Sequence, residues 1–244
     1  MNNNPIYLPI PFKLLKTFAG ARNTIKTRRQ FLLPERTIEE LFPRIETFKT
    51  NISISQLFTR HQYMVPVFEL LFLGAICKYL KPRKIFEIGT FTGSTALSVA
   101  LNTPTKTEVF TLDLHPSKRA KHKKESGIVG KHPDYQSGEL FKNTPLSKKI
   151  TQLFGNSQTF DFRRFYNSID LVFIDADHRY SFVKNDTKNA FKILRPGGVI
   201  IWDDYIWDEH SPWCAGIAQH LHELQKSKPI FRIAQTRFAI YLDK

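Results

Sequence analysis

The sequence predicts an α/β fold built on a doubly wound, mostly parallel sheet. Short apolar runs alternate with longer segments of helical periodicity, as stacked β-α units require. The runs are rich in β-branched and aromatic residues and are apolar on both faces, which is typical of strands that helices cover on two sides. Two strand-like segments near the end of the chain predict a terminal antiparallel hairpin. The predicted parallel strands span residues 84–88, 109–112, 150–154, 171–174 and 199–202.

Helices are predicted between these strands from apolar periodicity and from start and stop signals. Gly93 precedes one helix, and a proline followed by two glycines after residue 195 ends another. Ser211 and Pro212 are a capping residue and a first helical residue for the last helix. The helices are predicted over 64–80, 94–101, 182–194 and 211–225, and the hairpin over 230–234 and 238–242.

Length and composition predict one domain with an N-terminal extension. A chain of 244 residues with 41% hydrophobic content can bury one sizeable core but hardly two. We assign residues 61–244 to the domain and residues 1–60 to the extension, which would act as a lid or as an arm between subunits of a homo-oligomer. The segment 114–149 is too long for a simple connection, so we interpret it as an inserted lid or a partly mobile insert.

Cysteine usage and the N-terminal residues favour a cytoplasmic protein. Cys77 and Cys214 form no CxxC pattern, so the sequence predicts neither a disulfide framework nor a thiolate metal site. Prolines interrupt the first sixteen residues, which lack the apolar run of a signal peptide. The stretch 64–80 contains Glu69 and Lys78 and falls short of the roughly 20 residues that a bilayer span needs. No membrane span is therefore predicted.

The net charge of +14 predicts attraction to anions such as nucleic acid, acidic headgroups or an anionic substrate. Residues 115–149 hold nine Lys or Arg against three acids, and residues 1–60 hold ten against four. A solvated basic face that aids solubility explains the same pattern. Charge alone therefore leaves the partner open.

A glycine-containing turn connects strand 84–88 to the helix that follows it. Gly89 and Gly93 let the backbone turn sharply and let a ligand approach the amides at the helix N-terminus. Asp113 ends the neighbouring strand, where a carboxylate can accept both hydroxyls of a ribose. This arrangement indicates a nucleoside site. The loop lacks the GxGxxG spacing of pyrophosphate sites, and a purely structural turn is the other interpretation.

These residues resemble motif I of the class I S-adenosylmethionine-dependent methyltransferases, over Glu87-Ile-Gly-Thr-Phe-Thr-Gly-Ser94. The resemblance covers residues 68–244 and implies a Rossmann-like, seven-stranded fold with S-adenosylmethionine as cofactor. Asp113 matches the acid that holds the cofactor ribose in that family. The cofactor-binding residues that the resemblance implies are Glu87, Gly89, Thr90, Gly93, Ser94, Asp113, Asn156, Ser157 and Asp175.

Carboxylates cluster after two further strands of the predicted sheet. Asp175 and Asp177 follow the strand that ends at residue 174, and Asp203 and Asp204 follow the next strand. The carboxyl ends of neighbouring parallel strands meet at the edge where ligands bind, so these acids would face one crevice. Crowded carboxylates need a cation, and all-oxygen ligands favour Mg²⁺ or Ca²⁺ over Zn²⁺. The alternative is that each Asp caps a helix or a turn.

The same segments resemble the metal-dependent O-methyltransferases, both the catechol and caffeoyl-coenzyme A group and the sugar-modifying group. The resemblance implies that Asp175, Asp203 and Asp204 bind Mg²⁺. The acidic pair follows the sugar-modifying pattern, whereas the catechol group ends in Asp-Asn. Asp177 matches the base of the sugar-modifying group and is preferred. His178 lies where the catechol group has a Lys and is the alternative catalytic base.

We therefore expect metal-assisted methyl transfer to a hydroxyl of a small molecule, namely a sugar, polyol or phenol. Aromatic residues after the acidic pair either wall the substrate pocket or pack beneath the next helix. They are Tyr205, Trp207, His210 and Trp213. The alternatives are an RNA methyltransferase that uses the basic surface, and a non-catalytic binding protein on the same fold.

Overall fold

One mixed sheet of eight strands runs through the computed structural model, which describes residues 33–45, 51–55, 64–118, 135–206 and 214–243. Its strands are β1 (Glu35–Arg36), β2 (Lys84–Ile88), β3 (Glu108–Asp113), β4 (Ile150–Phe154), β5 (Ile169–Ile174), β6 (Leu194–Trp202), β7 (Ile230–Ile233) and β8 (Ala239–Leu242). Their order is β1-β7-β8-β6-β5-β2-β3-β4. Strands β2 to β6 are parallel, and β8 is antiparallel to β6 and β7. The predicted α/β fold is confirmed.

Helices cover both faces of the sheet and bury its central strands. The α-helices are α1 (Ile38–Leu41), α2 (Val67–Leu80), α3 (Ser94–Leu101), α4 (Glu139–Lys142), α5 (Tyr180–Ile193) and α6 (Ala215–Gln225). Leu73 of α2 packs in the core on one face, and Val183 of α5 and Leu221 of α6 pack in the core on the other. All six residues of β5 are buried, as expected for a strand covered twice.

Strand β6 begins earlier than the sequence predicts. Helix α5 ends at Ile193, and the residues interpreted as a turn form the irregular start of β6, where the pairing with β5 shifts register. Pro196 fits there because the first residues of a strand tolerate a missing amide donor. Gly197 donates its amide to Asp243 Oδ2 over 3.0 Å, and the Asp243 amide donates to the Gly198 carbonyl. Side-chain and backbone contacts at the chain's end thus extend the strand.

The short edge strand β1 comes from the segment assigned to the N-terminal extension. It pairs in parallel with β7, and the amides of Arg232 and Ala234 donate to the carbonyls of Pro34 and Arg36. Both residues of β1 are exposed and charged, so the sequence lacks the alternation of apolar residues that would predict a strand here. Residues 33–45 therefore pack on the domain. The role of residues 1–60 as a lid or arm stays a prediction, and residues 1–32 lie outside the described ranges.

The insert is described in part. Residues 135–149 carry α4 and a 3₁₀ helix (Pro145–Lys149). Most of the Lys and Arg residues of segment 115–149 fall at 119–134, outside the described residues. In the part of the chain that the structure describes, no helix has both the length and the apolar character that crossing a bilayer requires.

Candidate active site

The carboxyl ends of four neighbouring strands are tied together by backbone hydrogen bonds. The amide of Gly89 donates to the Leu112 carbonyl over 2.8 Å, and the amide of Asp175 donates to the Ile88 carbonyl over 2.9 Å. The Asp203 amide completes the series by donating to the Ile174 carbonyl over 3.0 Å. Each chain therefore turns at the same sheet edge, and the side chains that follow β2, β3, β5 and β6 face one region.

The turn between β2 and α3 requires its glycines. Gly89 has φ +105°, and a Cβ at this residue would lie 1.8 Å from the carbonyl oxygen of Asp175. Gly93, with φ +87°, precedes the first turn of α3 without a side-chain cap. The hydroxyls of Thr92 and Ser94 are buried and have no hydrogen-bond partner among the described residues. Unpaired donors at a helix N-terminus provide a place for an anionic ligand group.

Glu87 lies beneath this turn rather than at its surface. It is 2% exposed, and the Thr111 hydroxyl donates to its Oε2. Thr111 also contacts the hydroxyl of Thr90 over 2.6 Å. Burial raises the pKa of Glu87 well above its ordinary value, the Thr111 hydrogen bond opposes that rise, and the charges of Asp175 and Asp113 add to it. Glu87 and Thr90 thus form a buried polar support beneath the turn between β2 and α3.

The carboxylate of Asp113 is held by the insert. Its Oδ1 accepts from the Leu114 amide over 2.8 Å, and its Oδ2 accepts from the Ser137 hydroxyl over 2.6 Å. Gln152 donates in turn to Ser137 over 2.7 Å. The amide of Gly138 donates to the Phe91 carbonyl, so this part of the insert lies along the glycine turn. Sequence reasoning missed Ser137, because 24 residues separate it from Asp113.

Asn156 and Ser157 occupy the loop after β4, next to α5. Asn156 Oδ1 accepts from the Gln158 amide over 3.0 Å, and the Ser157 carbonyl accepts from the side chain of Asn185 over 3.1 Å. Beside them lies Asp186, which is fully buried and whose Oδ2 has no hydrogen-bond partner among the described residues. Burial raises the pKa of Asp186 to about 7, although hydrogen bonds from Ser157 and Asn185 oppose the rise.

We expect the change Asp186→Asn to stabilise the protein increasingly as the pH rises from 4 to 8. The folded state holds the Asp186 proton up to about pH 7, whereas the unfolded chain releases it near 3.8, so wild-type stability falls across this window. Three pKa units correspond to roughly 4 kcal/mol as an upper bound. Urea unfolding of both proteins at several pH values measures the difference.

The exposed Asp161→Asn variant is the control for this experiment. The Arg163 side chain holds the pKa of Asp161 at about 2 in the folded state, and the unfolded chain releases this proton near 3.8, so both titrations are complete above about pH 5. The stability difference between Asp161→Asn and wild type should therefore stay constant from about pH 5 to pH 8. An equally constant difference for Asp186→Asn would contradict the buried-carboxylate assignment.

The carboxylates after β5 and β6 converge. Asp175, Asp203 and Asp204 each offer an oxygen, and these oxygens lie within 4.8 Å of one another. Burial, followed by the charge of Asp175, raises the pKa of both Asp203 and Asp204. Such mutual repulsion is relieved by a shared cation, and oxygen donors at this spacing suit a hard divalent ion. The residues present therefore fit a magnesium-type site.

A cation of the protein itself also contacts this cluster. Arg237, in the turn between β7 and β8, places Nη1 2.7 Å from Asp204 Oδ1 and Nη2 3.4 Å from Asp203 Oδ2. Its Nε lies 3.2 Å from Glu69 Oε1 on α2. Arg237 and Glu69 were not identified from the sequence, because they lie 168 residues apart and only the folded sheet brings them together.

The two candidate bases have different surroundings. Both oxygens of Asp177 are engaged by Arg179, with Nη2 2.6 Å from Oδ2 and Nε 2.9 Å from Oδ1. His178 Nε2 instead lies 3.4 Å from Asp204 Oδ2 and 4.0 Å from Asp175 Oδ1. Burial lowers the pKa of His178, but contacts with Asp175, Cys214 and Asp204 outweigh burial and raise it well above its ordinary value. His178, rather than Asp177, faces the acidic cluster.

The aromatic residues after the acidic pair are described only at their start. Tyr205 is 4% exposed and its hydroxyl accepts from the Leu33 amide over 2.8 Å, so it packs in the core. Trp207, His210 and Trp213 lie outside the described residues. The first of the two interpretations, a pocket wall, therefore has no support at Tyr205.

Comparison with known protein families agrees with this geometry. Residues 86–205 match the family model described as "Methyltransferase domain". The caffeoyl-CoA O-methyltransferase of Stellaria longipes is 27% identical over 140 residues, which cover 55% of this chain and 51% of that protein. The flavonoid 3',5'-methyltransferase of Vitis vinifera is 27% identical over 159 residues, 61% of this chain and 60% of that protein. The matched segment thus spans about half to three fifths of these relatives.

Among solved structures, the O-methyltransferase of Bacillus cereus in complex with SAH superposes with a TM-score of 0.53 at 20% identity. The superposition covers 75% of this chain and 84% of that one. At this identity the likeness concerns the fold alone.

Proposed function

Because residues 86–205 match a methyltransferase domain and the chain is similar to O-methyltransferases, we propose that it is a class I S-adenosylmethionine-dependent methyltransferase that transfers a methyl group to a hydroxyl oxygen of a small molecule with the help of a divalent cation. The observation that carries this proposal is the convergence of Asp175, Asp203 and Asp204 within 4.8 Å beside His178. These groups follow the strands next to the glycine turn, so donor and acceptor would meet at one sheet edge.

The cofactor is proposed to bind along the turn after β2 and the ends of β3 and β4. The amides at the start of α3 and the unpaired hydroxyls of Thr92 and Ser94 would hold its carboxylate. Asp113 would accept the ribose hydroxyls, with Ser137 fixing its orientation. Asn156 and Ser157 would flank the adenine.

The three converging aspartates would hold Mg²⁺ or a similar hard cation. A divalent cation held there would polarise the substrate hydroxyl and would offset the carboxylate charges that raise the pKa of His178. Arg237 contacts the oxygens Asp204 Oδ1 and Asp203 Oδ2 and thereby keeps both side chains oriented. The remaining oxygens of these residues are the proposed ligands.

His178 is the proposed base. Its imidazole would take the proton of the substrate hydroxyl while the oxygen attacks the sulfonium methyl in line, which breaks the carbon–sulfur bond and releases the neutral thioether. Asp177 is less suitable because the Arg179 guanidinium binds both of its oxygens. This reverses the preference for Asp177 that the resemblance to the sugar-modifying group suggested.

The acceptor is proposed to carry two neighbouring hydroxyls, as in an ortho-diphenol or a sugar diol, since a cation can hold two adjacent oxygens. The test is a mass-spectrometric assay with S-adenosylmethionine, Mg²⁺ and a panel of diphenols, sugars and a structured RNA. Methyl ethers of the diols support the proposal. Methylated RNA with unmodified diols would instead support the alternative that the net charge of +14 suggested.

We expect chelation of divalent cations to abolish methyl transfer and added Mg²⁺ to restore it. The change Asp203→Asn should lower Mg²⁺-restored activity at least about a hundredfold, because cation assistance contributes several kcal/mol to such reactions. Cofactor binding, measured by calorimetry, should persist in this variant. Asp161→Asn, an exposed aspartate paired with Arg163, is the matched control and should keep full activity. Chelator-resistant activity would exclude the metal-assisted mechanism.

A further inference from the structure

A second set of metal-binding side chains lies next to the three aspartates. His178, Asp204 and Cys214 each offer one donor atom, and the three donors lie within 4.8 Å of one another. His178 Nε2 is 3.4 Å from Asp204 Oδ2. In a tetrahedral site with bonds of about 2.0–2.1 Å, nitrogen and oxygen ligands are separated by roughly 3.3 Å, so this spacing already suits a bound ion.

Close backbone packing holds this donor set in place. Cys214 immediately precedes α6, and Gly216 lies in the first turn of that helix. A Cβ at Gly216 would lie 2.3 Å from the His178 carbonyl oxygen and 2.5 Å from the Tyr180 nitrogen. Only glycine allows α6 to approach the start of α5 so closely. The thiol of Cys214 is therefore brought to His178 by the fold rather than by a flexible side chain.

We propose that His178, Cys214 and Asp204 form a binding site for a borderline transition metal, with Zn²⁺ as the typical ion. Nitrogen, sulfur and oxygen from three residues, with a fourth position left for water, are the donors that Zn²⁺ takes in open sites. Mg²⁺ prefers oxygen ligands throughout, so the three aspartates and this set select different ions. No thiolate metal site was predicted from the sequence, because Cys214 lies 36 residues from His178 along the chain.

Binding is open from the side of the acidic cluster. The side chains of His178 and Asp204 are each 16% exposed, whereas Cys214 is fully buried behind them. His178 Nδ1 is buried and has no hydrogen-bond partner among the described residues. Burial raises the pKa of Cys214, so the thiol is protonated before an ion arrives and its proton passes to solvent when the metal–sulfur bond forms.

An ion bound at this second site would block the proposed methyl transfer. This part of the inference rests on the proposed function. His178 is the proposed base and Asp204 a proposed Mg²⁺ ligand, so one ion on His178, Cys214 and Asp204 would occupy both. Zn²⁺ would therefore inhibit the Mg²⁺-assisted reaction by binding at a neighbouring position rather than by replacing Mg²⁺ among the three aspartates.

The test is a spectroscopic titration of the metal-free protein with Co²⁺, which substitutes for Zn²⁺. Wild type should show the near-ultraviolet charge-transfer absorption of a thiolate–cobalt bond, and added Zn²⁺ should remove it. Cys214→Ser should lose this absorption completely. Cys77→Ser is the matched control and should keep it, since Cys77 is buried in the apolar face of α2.

Two further variants keep the result interpretable. His178→Gln should also lose the absorption, and this variant tests the site if Cys214→Ser folds poorly. Asp203→Asn should retain the absorption, because Asp203 is not one of the three proposed ligands. A wild-type protein without the absorption, or a Cys214→Ser protein with it, overturns the proposal. The titration uses neither cofactor nor acceptor, so its result does not depend on whether the methyl-transfer assay succeeds. If the cobalt absorption is missing, the second metal site is excluded and the proposed function is unaffected.

Discussion

Replacing His178 by Ala is expected to lower the turnover number about 10²- to 10⁴-fold, the usual contribution of a positioned general base. The imidazole is the proton acceptor next to the carboxylates, with Nε2 3.4 Å from Asp204 Oδ2. Binding of S-adenosylmethionine should change little, because the proposed cofactor contacts come from the turn after β2 and from the ends of β3 and β4. Steady-state kinetics at saturating cofactor, together with calorimetry, separate these two effects.

Asp177→Asn is the control that decides between the two bases. Asn keeps the oxygen that accepts from the Arg179 amide over 2.9 Å but loses the charge that binds the guanidinium. We expect a loss of less than tenfold. A larger loss for Asp177→Asn than for His178→Ala would restore Asp177 as the base and leave His178 as a structural partner of the acids.

Local sequence patterns predicted most of the sheet and the close approach of three aspartates that the structure shows. Asp175 and Asp203 directly follow apolar runs, and residues that follow neighbouring parallel strands must meet at one edge. The same reasoning located Gly89, Gly93 and Asp113. The apolar runs mark where each strand ends, and the strand order that brings these residues to one edge is seen in the structure.

Contacts between distant segments could not be predicted from local sequence patterns. Arg237 reaches the acidic cluster from a hairpin turn, and Ser137 reaches Asp113 from an insert. Asp186 carries no sequence signal of burial, because an acid within an amphipathic helix usually faces solvent. Strand β1 has two exposed charged residues, so only its pairing with β7 defines it. In each case tertiary packing, rather than local preference, selects the position.

The glycine turn provides the second large expected effect. Gly89→Ala should lower the free energy of unfolding by roughly 3 kcal/mol, because the new methyl group would lie 1.8 Å from the Asp175 carbonyl oxygen and two strands must separate to admit it. The displaced backbone belongs to Asp175 itself, so cofactor affinity and cation affinity should fall together. Urea unfolding and calorimetry with S-adenosylmethionine measure both.

Gly197→Ala separates this clash from the cost of backbone conformation. Gly197 also has a positive φ, +74°, but the nearest atom to a Cβ there is Arg195 Nη1 at 3.7 Å, at the end of a flexible side chain. Only the left-handed conformation then opposes alanine, which costs roughly 1 kcal/mol. Equal losses for the two variants would mean that the turn after β2 relaxes freely. The geometry that joins the cofactor loop to Asp175 would then be adaptable rather than fixed.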